Sequence, residues 1–188
     1  MAFTQDKKKA IAGVILFDYP SLEEKERVYA LAPLKFPYIP GLLSFREGPV
    51  LQKAFAKLRN PVDLIFFDGQ GVAHPRRLGI ASHMGILLDR PSIGCAKSRL
   101  CGVEKIPKEK RGLWTPLKDK DEIIGAVLRT RDGVKPLYVS VGHRVDLPTA
   151  IEWTLNCHDG TRIPKPTREA DRWVGELKRK LGGHPEGE

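Results

Sequence analysis

Val62-Asp63-Leu64-Ile65-Phe66-Phe67-Asp68-Gly69-Gln70-Gly71 is the stretch on which the fold turns. An apolar run reading as a strand stops on an aspartate, and two glycines follow it. A helix is expected next, around Gly79 to Asp89, and then a short strand from Pro91 to Ala96. Strand, helix and strand in succession are the unit from which α/β proteins are built.

Working outward, Ala10 to Phe17 reads as a buried strand and Arg27 to Leu31 as a weaker one. Phe36-Pro37-Tyr38-Ile39-Pro40-Gly41 cannot be regular structure, because its two prolines fix the backbone and remove two donors. From Leu42 to Leu58 the apolar residues Leu43, Val50, Leu51, Ala54 and Leu58 recur at helical spacing, and Asn60-Pro61 breaks the pattern. Downstream, Ile106 to Leu117 reads as a basic surface loop, flanked and filled by Lys105, Lys108, Lys110 and Arg111. Glu122 to Arg129 and Pro136 to Val141 read as strands joined through Asp132-Gly133, a hairpin signal. Leu147 to Asn156 and Thr167 to Leu181 read as helices. The expectation is one α/β domain over residues 1–181, with 182–188 a frayed tail.

The 188 residues suffice for one domain with a core, and 41% hydrophobic with 29% charged residues is ordinary for a globular chain. No apolar run is long enough to span a bilayer, and Met1 to Lys9 is polar and basic, unlike a secretory leader. A net charge of +9 favours polyanions through phosphate neutralisation. Cys95, Cys101 and Cys157 are odd in number and make no CxxC pair, which counts against a disulfide framework or zinc site and fits a reducing cytoplasm.

Asp68 is the strongest candidate on chemistry alone, since α/β sheets present ligands and catalytic groups at strand ends. Gly69 and Gly71 let a ligand or another backbone approach, and His74, Arg76 and Arg77 follow closely. A carboxylate, an imidazole and two cations suit metal-assisted phosphodiester chemistry. A tight turn with a capping Asp and solvated arginines would also explain the same residues. Alone, Glu47 reads as a favourable charge near a helix N-terminus. Lys97 and Asp171 read as surface residues, His83 as a core histidine, and His143 as a loop residue without an evident partner.

Taken together, four strings resemble the endonuclease V family. They are Phe36-Pro37-Tyr38-Ile39-Pro40-Gly41-Leu42-Leu43-Ser44-Phe45-Arg46-Glu47, Asp68 through His83, Gly94-Cys95-Ala96-Lys97-Ser98-Arg99-Leu100, and Arg162-Ile163-Pro164-Lys165-Pro166-Thr167-Arg168. The resemblance implies an RNase H-like fold, a mixed central sheet flanked by helices. It implies a DNA repair endonuclease that recognises deoxyinosine and hydrolyses the second phosphodiester bond 3′ to it. Glu47 and Asp68 would ligate Mg²⁺ (or Mn²⁺), His74 and Lys97 would act at the phosphate or leaving oxygen, and Asp171 would stand near the metal. Pro37, Tyr38, Ile39 and Pro40 would form a wedge that fills the gap left by the flipped nucleotide. Leu43, Gly69, Gly79, Ile80 and Leu100 would line the base pocket. The implied partner is inosine-containing DNA, or inosine in single-stranded RNA, bound by a cytoplasmic monomer.

One part of the family pattern is missing. The family carries a helix and a first strand whose Asp is a third metal ligand, and this Asp would fall just before Met1. Either an internal Met has been taken as the start or the product is short. The first strand is then expected to be missing from this chain, and the chain to be weakly active or inactive. A module that binds inosine without cutting, and a nuclease acting on inosine in RNA, are the competing readings.

Overall fold

The computed structural model describes residues 1–4, 6, 8–34, 36, 37, 39 and 43–182. The chain forms two compact units, Met1–Pro61 with the described residues from Arg168 onward, and Val62–Thr167. The expectation of one domain over 1–181 drew no such internal division. Residues 183–188 of the expected tail lie outside the described residues.

In the first unit, β1 (Ala2–Phe3), β2 (Lys9–Phe17) and β3 (Glu24–Pro33) form an antiparallel sheet in chain order. β3 outlasts its apolar core: Ala30 and Ala32 point inward while Tyr29 and Leu31 stay exposed, the alternation of a sheet with one wet face. The strand expected from Arg27 to Leu31 is therefore longer at both ends, and its charged first residues pair with β2 as far as Glu24. Helix α1 (Leu43–Phe55) buries Val50, Leu51 and Ala54 at helical spacing. A side chain at Gly13 of β2 would strike Val174 and Trp173, so helix α4 (Lys165–Gly182) lies close on that strand.

In the second unit the sheet order is β4 (Ile65–Phe67), β5 (Ser92–Ala96), β8 (Leu137–His143), β7 (Glu122–Leu128) and β6 (Trp114–Asp119). β4 and β5 are parallel and the remaining neighbours antiparallel. The parallel pair is joined by helix α2 (Ile80–Leu88), because parallel strands need a long crossover. Side chains of β7 divide between two clusters: Ala126 and Leu128 join Ile93, Cys95, Leu137, Val139 and helix α3 (Leu147–Asn156), while Val127 packs with Leu117 and Tyr138, and a register shift in the β6–β7 pairing brings Ile124 to that same cluster. The Asp146 carboxylate caps α3 by accepting from the Thr149 N–H at 2.8 Å.

The α/β class holds, with the described strands divided between two sheets. Three local expectations are corrected. The end of the presumed loop Ile106–Leu117 is strand: Trp114–Asp119 is β6, folded onto β7 through Lys120 in a left-handed conformation. Pro116 and the exposed charges hid it, and an edge strand tolerates both. Asp132-Gly133 does sit between two paired strands, but the pairing stops at Leu128 and Leu137 and residues 129–136 make a longer connection. His143 belongs to the end of β8, with its Nε2 3.5 Å from the Asp89 carboxylate. Among the described residues no helix is long and apolar enough to cross a membrane.

Candidate active site

The connection from β4 to α2 is pinned to the sheet by its own backbone. Gly71 N–H donates to Ser140 Oγ at 2.8 Å, Val72 N–H to the Val141 carbonyl at 2.8 Å, and Gly79 N–H to the Gly71 carbonyl at 3.0 Å. A Cβ on Gly71 would lie 1.9 Å from the Val141 oxygen, one on Gly79 2.2 Å from the Gln70 oxygen, and one on Gly94 2.5 Å from the Gly71 nitrogen. Only hydrogen fits at these three positions, so the connection is packed as tightly as a strand.

This frame sets Asp68 at the C-terminal end of β4 and Lys97 at the C-terminal end of parallel β5. Lys97 Nζ donates to Asp68 Oδ2 at 3.1 Å, and the two side chains keep 41% and 36% of their surface exposed. The pair is held together yet open to solvent on the edge where parallel strands present ligands.

Two residues that sequence reasoning left without a role fix Lys97 from behind. Gln70 Nε2 donates to the Ser98 carbonyl at 3.0 Å. Arg162 Nη2 donates to the Lys97 carbonyl at 2.7 Å and to the Pro136 carbonyl at 2.6 Å, and its own carbonyl accepts from Thr130 Oγ1 at 2.6 Å. Burial pulls the Arg162 guanidinium below its ordinary value. Both residues lie inside strings that carry the resemblance, but hydrogen bonds aimed at backbone carbonyls leave no spacing signature in a sequence.

His74 is buried. The Arg76 backbone N–H donates to its Nδ1 at 3.2 Å, which leaves the proton of the neutral ring on Nε2. Burial first, and the Arg76 charge second, push its pKa down and favour that neutral form. Arg77, read as a site cation, is instead engaged elsewhere. It bonds Asp119 at 2.8 Å, Glu122 at 2.7 Å and the His74 carbonyl at 3.0 Å, clamping the connection to the β6–β7 hairpin.

Of the expected base-pocket residues, Gly69 and Ile80 are brought together, since a Cβ on Gly69 would meet Ile80 Cγ2 at 2.7 Å. Gly79 lies behind them, its missing side chain required by the Gln70 carbonyl, and Leu100 is exposed beyond Lys97. Cys95 beside Asp68 is buried with its thiol pushed up to about 12, so it stays protonated.

In the first unit Glu47 is half-buried on α1. Burial raises its pKa, with the Met1 amino group and Arg46 acting in the opposite direction. Asp171 is exposed on α4. Of the expected wedge, Pro37 and the exposed Ile39 are described, while Tyr38, Pro40 and the Leu43 side chain lie outside the described residues. Among the described residues no group of three or more His, Cys, Asp or Glu stands ready to hold a metal.

The family model for endonuclease V matches residues 1–172. The endonuclease V of Roseiflexus sp. (strain RS-1) is 54% identical over 162 residues, spanning 86% of this chain and 73% of that protein. The crystal structure of endonuclease V from Streptomyces avermitilis superposes with a TM-score of 0.92 at 40% identity, covering 96% of this chain and 79% of that one. The Ciona intestinalis endonuclease V, solved with a 24mer DNA containing an inosine followed by a ribo-adenosine, superposes at 0.83 with 27% identity, covering 96% and 83%.

Proposed function

The chain belongs to the endonuclease V family and is a nuclease, and from that premise we propose that it is a DNA repair enzyme that nicks strands carrying deoxyinosine. The proposed bond is the second phosphodiester 3′ to the lesion, hydrolysed with the damaged base left in place. The observation that carries the reading is the Asp68–Lys97 pair, exposed at the ends of two parallel strands, with a buried His74 on the connection that follows Asp68.

The chemistry of the two proposed ligands suits a hard divalent cation. Asp68 and Glu47 offer carboxylate oxygens, and burial makes Glu47 receptive to a cation that would offset its desolvation. Mg²⁺ (or Mn²⁺) bound by them would supply Lewis-acid stabilisation of the phosphate charge. Lys97 would neutralise a phosphate oxygen as the attacking water's oxygen bonds to phosphorus and the phosphorus–leaving-oxygen bond breaks, the proton lost by the water being returned through solvent to the leaving oxygen. His74 offers its Nε2–H to the developing charge, which a neutral ring can do without titrating near pH 7. Asp171 takes a place near the metal in this reading. Gly69 and Ile80, with Leu43, Gly79 and Leu100, receive the flipped base, and Pro37, Tyr38, Ile39 and Pro40 fill the gap it leaves. The expected form is a cytoplasmic monomer.

The test is Mg²⁺-dependent nicking of a labelled duplex with deoxyinosine at one position, by the native chain and by Asp68→Ala. Nicking by the native chain alone, with inosine binding kept in both, supports the proposal. Binding without nicking in both supports the competing reading of a module that does not cut. Absence of any preference for inosine overturns both. Inosine in RNA is the second substrate to try, because the Ciona relative was solved with a ribonucleotide directly after its inosine.

A further inference from the structure

The edge of the sheet that ends in Asp68 and Lys97 continues past them. β8 runs antiparallel to β5, β7 to β8 and β6 to β7, so this edge carries in turn the start of β8, the end of β7 and the start of β6. Residues 105–113 lead into β6 there. Four strand spacings of about 4.8 Å put that loop roughly 19 Å from Asp68. Hydrogen bonds follow the same line: Arg162 joins Lys97 to Pro136, and Thr130 to its own carbonyl.

The loop is built to hold its shape. Arg129, buried at 5% exposure, donates to the Pro107 carbonyl from Nε at 3.3 Å and from Nη2 at 3.2 Å, and from Nη1 to the Val134 carbonyl. Arg111 N–H donates to the Asp132 carboxylate at 2.5 Å, and Gly133 N–H to the Glu109 carbonyl at 3.1 Å. Burying a guanidinium is costly, so a loop fixed around one is held in a single arrangement. That arrangement exposes Lys105, Lys108, Lys110, Arg111, Arg131 and Lys135 against the carboxylates of Glu109 and Asp132, the second of which is turned to the Arg111 backbone.

We propose that this basic loop is a second phosphate-binding surface, taking the backbone of duplex DNA that flanks the scissile phosphate. The inference rests on the proposed nuclease function and extends it from the reacting bond to the footprint. A span of roughly 19 Å at about 3.4 Å per base pair corresponds to about five or six base pairs of flank. The spacing, like the contacts, is sequence-independent: lysines on an ordered loop neutralise phosphates and read no bases.

The experiment measures affinity in EDTA for a deoxyinosine duplex with long flanks and for versions trimmed from one end or the other. The native chain is compared with the triple variant Lys105→Gln, Lys108→Gln, Lys110→Gln, with thermal melting to verify folding. Arg111 is left alone because its guanidinium also bonds the Leu155 carbonyl. The expected result is a salt dependence of log affinity that is shallower in the variant by up to about 0.9 for each phosphate that the protein ceases to neutralise. The difference should vanish when one particular flank is cut below about five base pairs. A folded variant with the native salt slope on long duplexes overturns the inference and leaves the nuclease reading intact. A variant weakened equally on trimmed and long duplexes also overturns it. If the native chain itself binds none of the duplexes, the nuclease reading falls, and this inference with it.

Discussion

Asp68 and Arg77 stand on the same connection between β4 and α2, and each is held in an ion pair, but the two pairs have different characters. Arg77 bonds two carboxylates and the His74 carbonyl from a left-handed backbone position, so its charge is consumed by clamping the connection to the β6–β7 hairpin. Lys97 Nζ donates to Asp68 Oδ2, both groups keep over a third of their surface in water, and both lie at the ends of parallel strands. Charge in a glycine-rich loop is therefore no guide to chemistry until its partners are known. A cation turned onto two carboxylates and a carbonyl shapes the connection, whereas a pair that faces water at the ends of parallel strands stands where α/β sheets present ligands.

The largest effect that would break this contrast is at Asp68. Asp68→Ala is expected to lower cleavage on the order of 10³-fold, about 4 kcal/mol of barrier, with the melting temperature little changed. Arg77→Ala should do the reverse, lowering the melting temperature while cleavage measured well below it changes only a few-fold. Calorimetry beside single-turnover cleavage separates them, and an inactive but stably folded Arg77→Ala would move that residue into the chemistry.

Next in size is Arg162→Gln. Without its hold on the Lys97 carbonyl, kcat should fall roughly 10-fold with KM near its native value. In a Lys97→Ala background the same change should cost little further, because both act through one side chain. Additive losses would give Arg162 a role apart from Lys97.

Gly94→Ala tests whether the connection depends on the sheet beneath it. The added methyl meets the Gly71 nitrogen and the Gly69 oxygen, and overpacking of this kind costs about 1–3 kcal/mol. Denaturant unfolding should show the loss, and cleavage should fall with it because Gly69 follows Asp68. Full stability would mean that the connection yields easily.

The smallest effect is the pH response of His74. Its folded pKa is depressed from 6.5, so the native state binds its proton less readily than the unfolded chain does. The stability it contributes is fully present above pH 6.5 and is lost as the pH falls through the lower folded value. Melting measured downward from about pH 7 should show that decline, and His74→Asn, which can accept from Arg76 N–H without titrating, should flatten it. An unchanged slope would assign the decline to His83, which burial shifts the same way.

Much of the site frame was legible because hard stops mark it. The apolar run ending on Asp68, the helix beginning after Gly79 and the strand ending before Lys97 are all announced by changes of residue type, and each appears within a few residues of its expected place. β6 was not legible, since Pro116 and neighbouring charges imitate a loop where an edge strand permits them. Arg77 could be seen as a cation, but its destination on a distant hairpin is a property of the fold. Gln70 and Arg162 grip carbonyls, which every residue possesses, so no residue pattern could point to their targets. The strings shared with endonuclease V named the candidate residues as a set, whereas the pairing of Asp68 with Lys97 comes from the sheet.

The close backbone approaches at Gly71, Gly79 and Gly94 bear on how substrates are told apart. A connection held against backbone at three glycines has little room to change shape when a nucleotide arrives. Little interaction energy then goes into ordering the protein, and two competing nucleotides would be distinguished by their own fit to a fixed template.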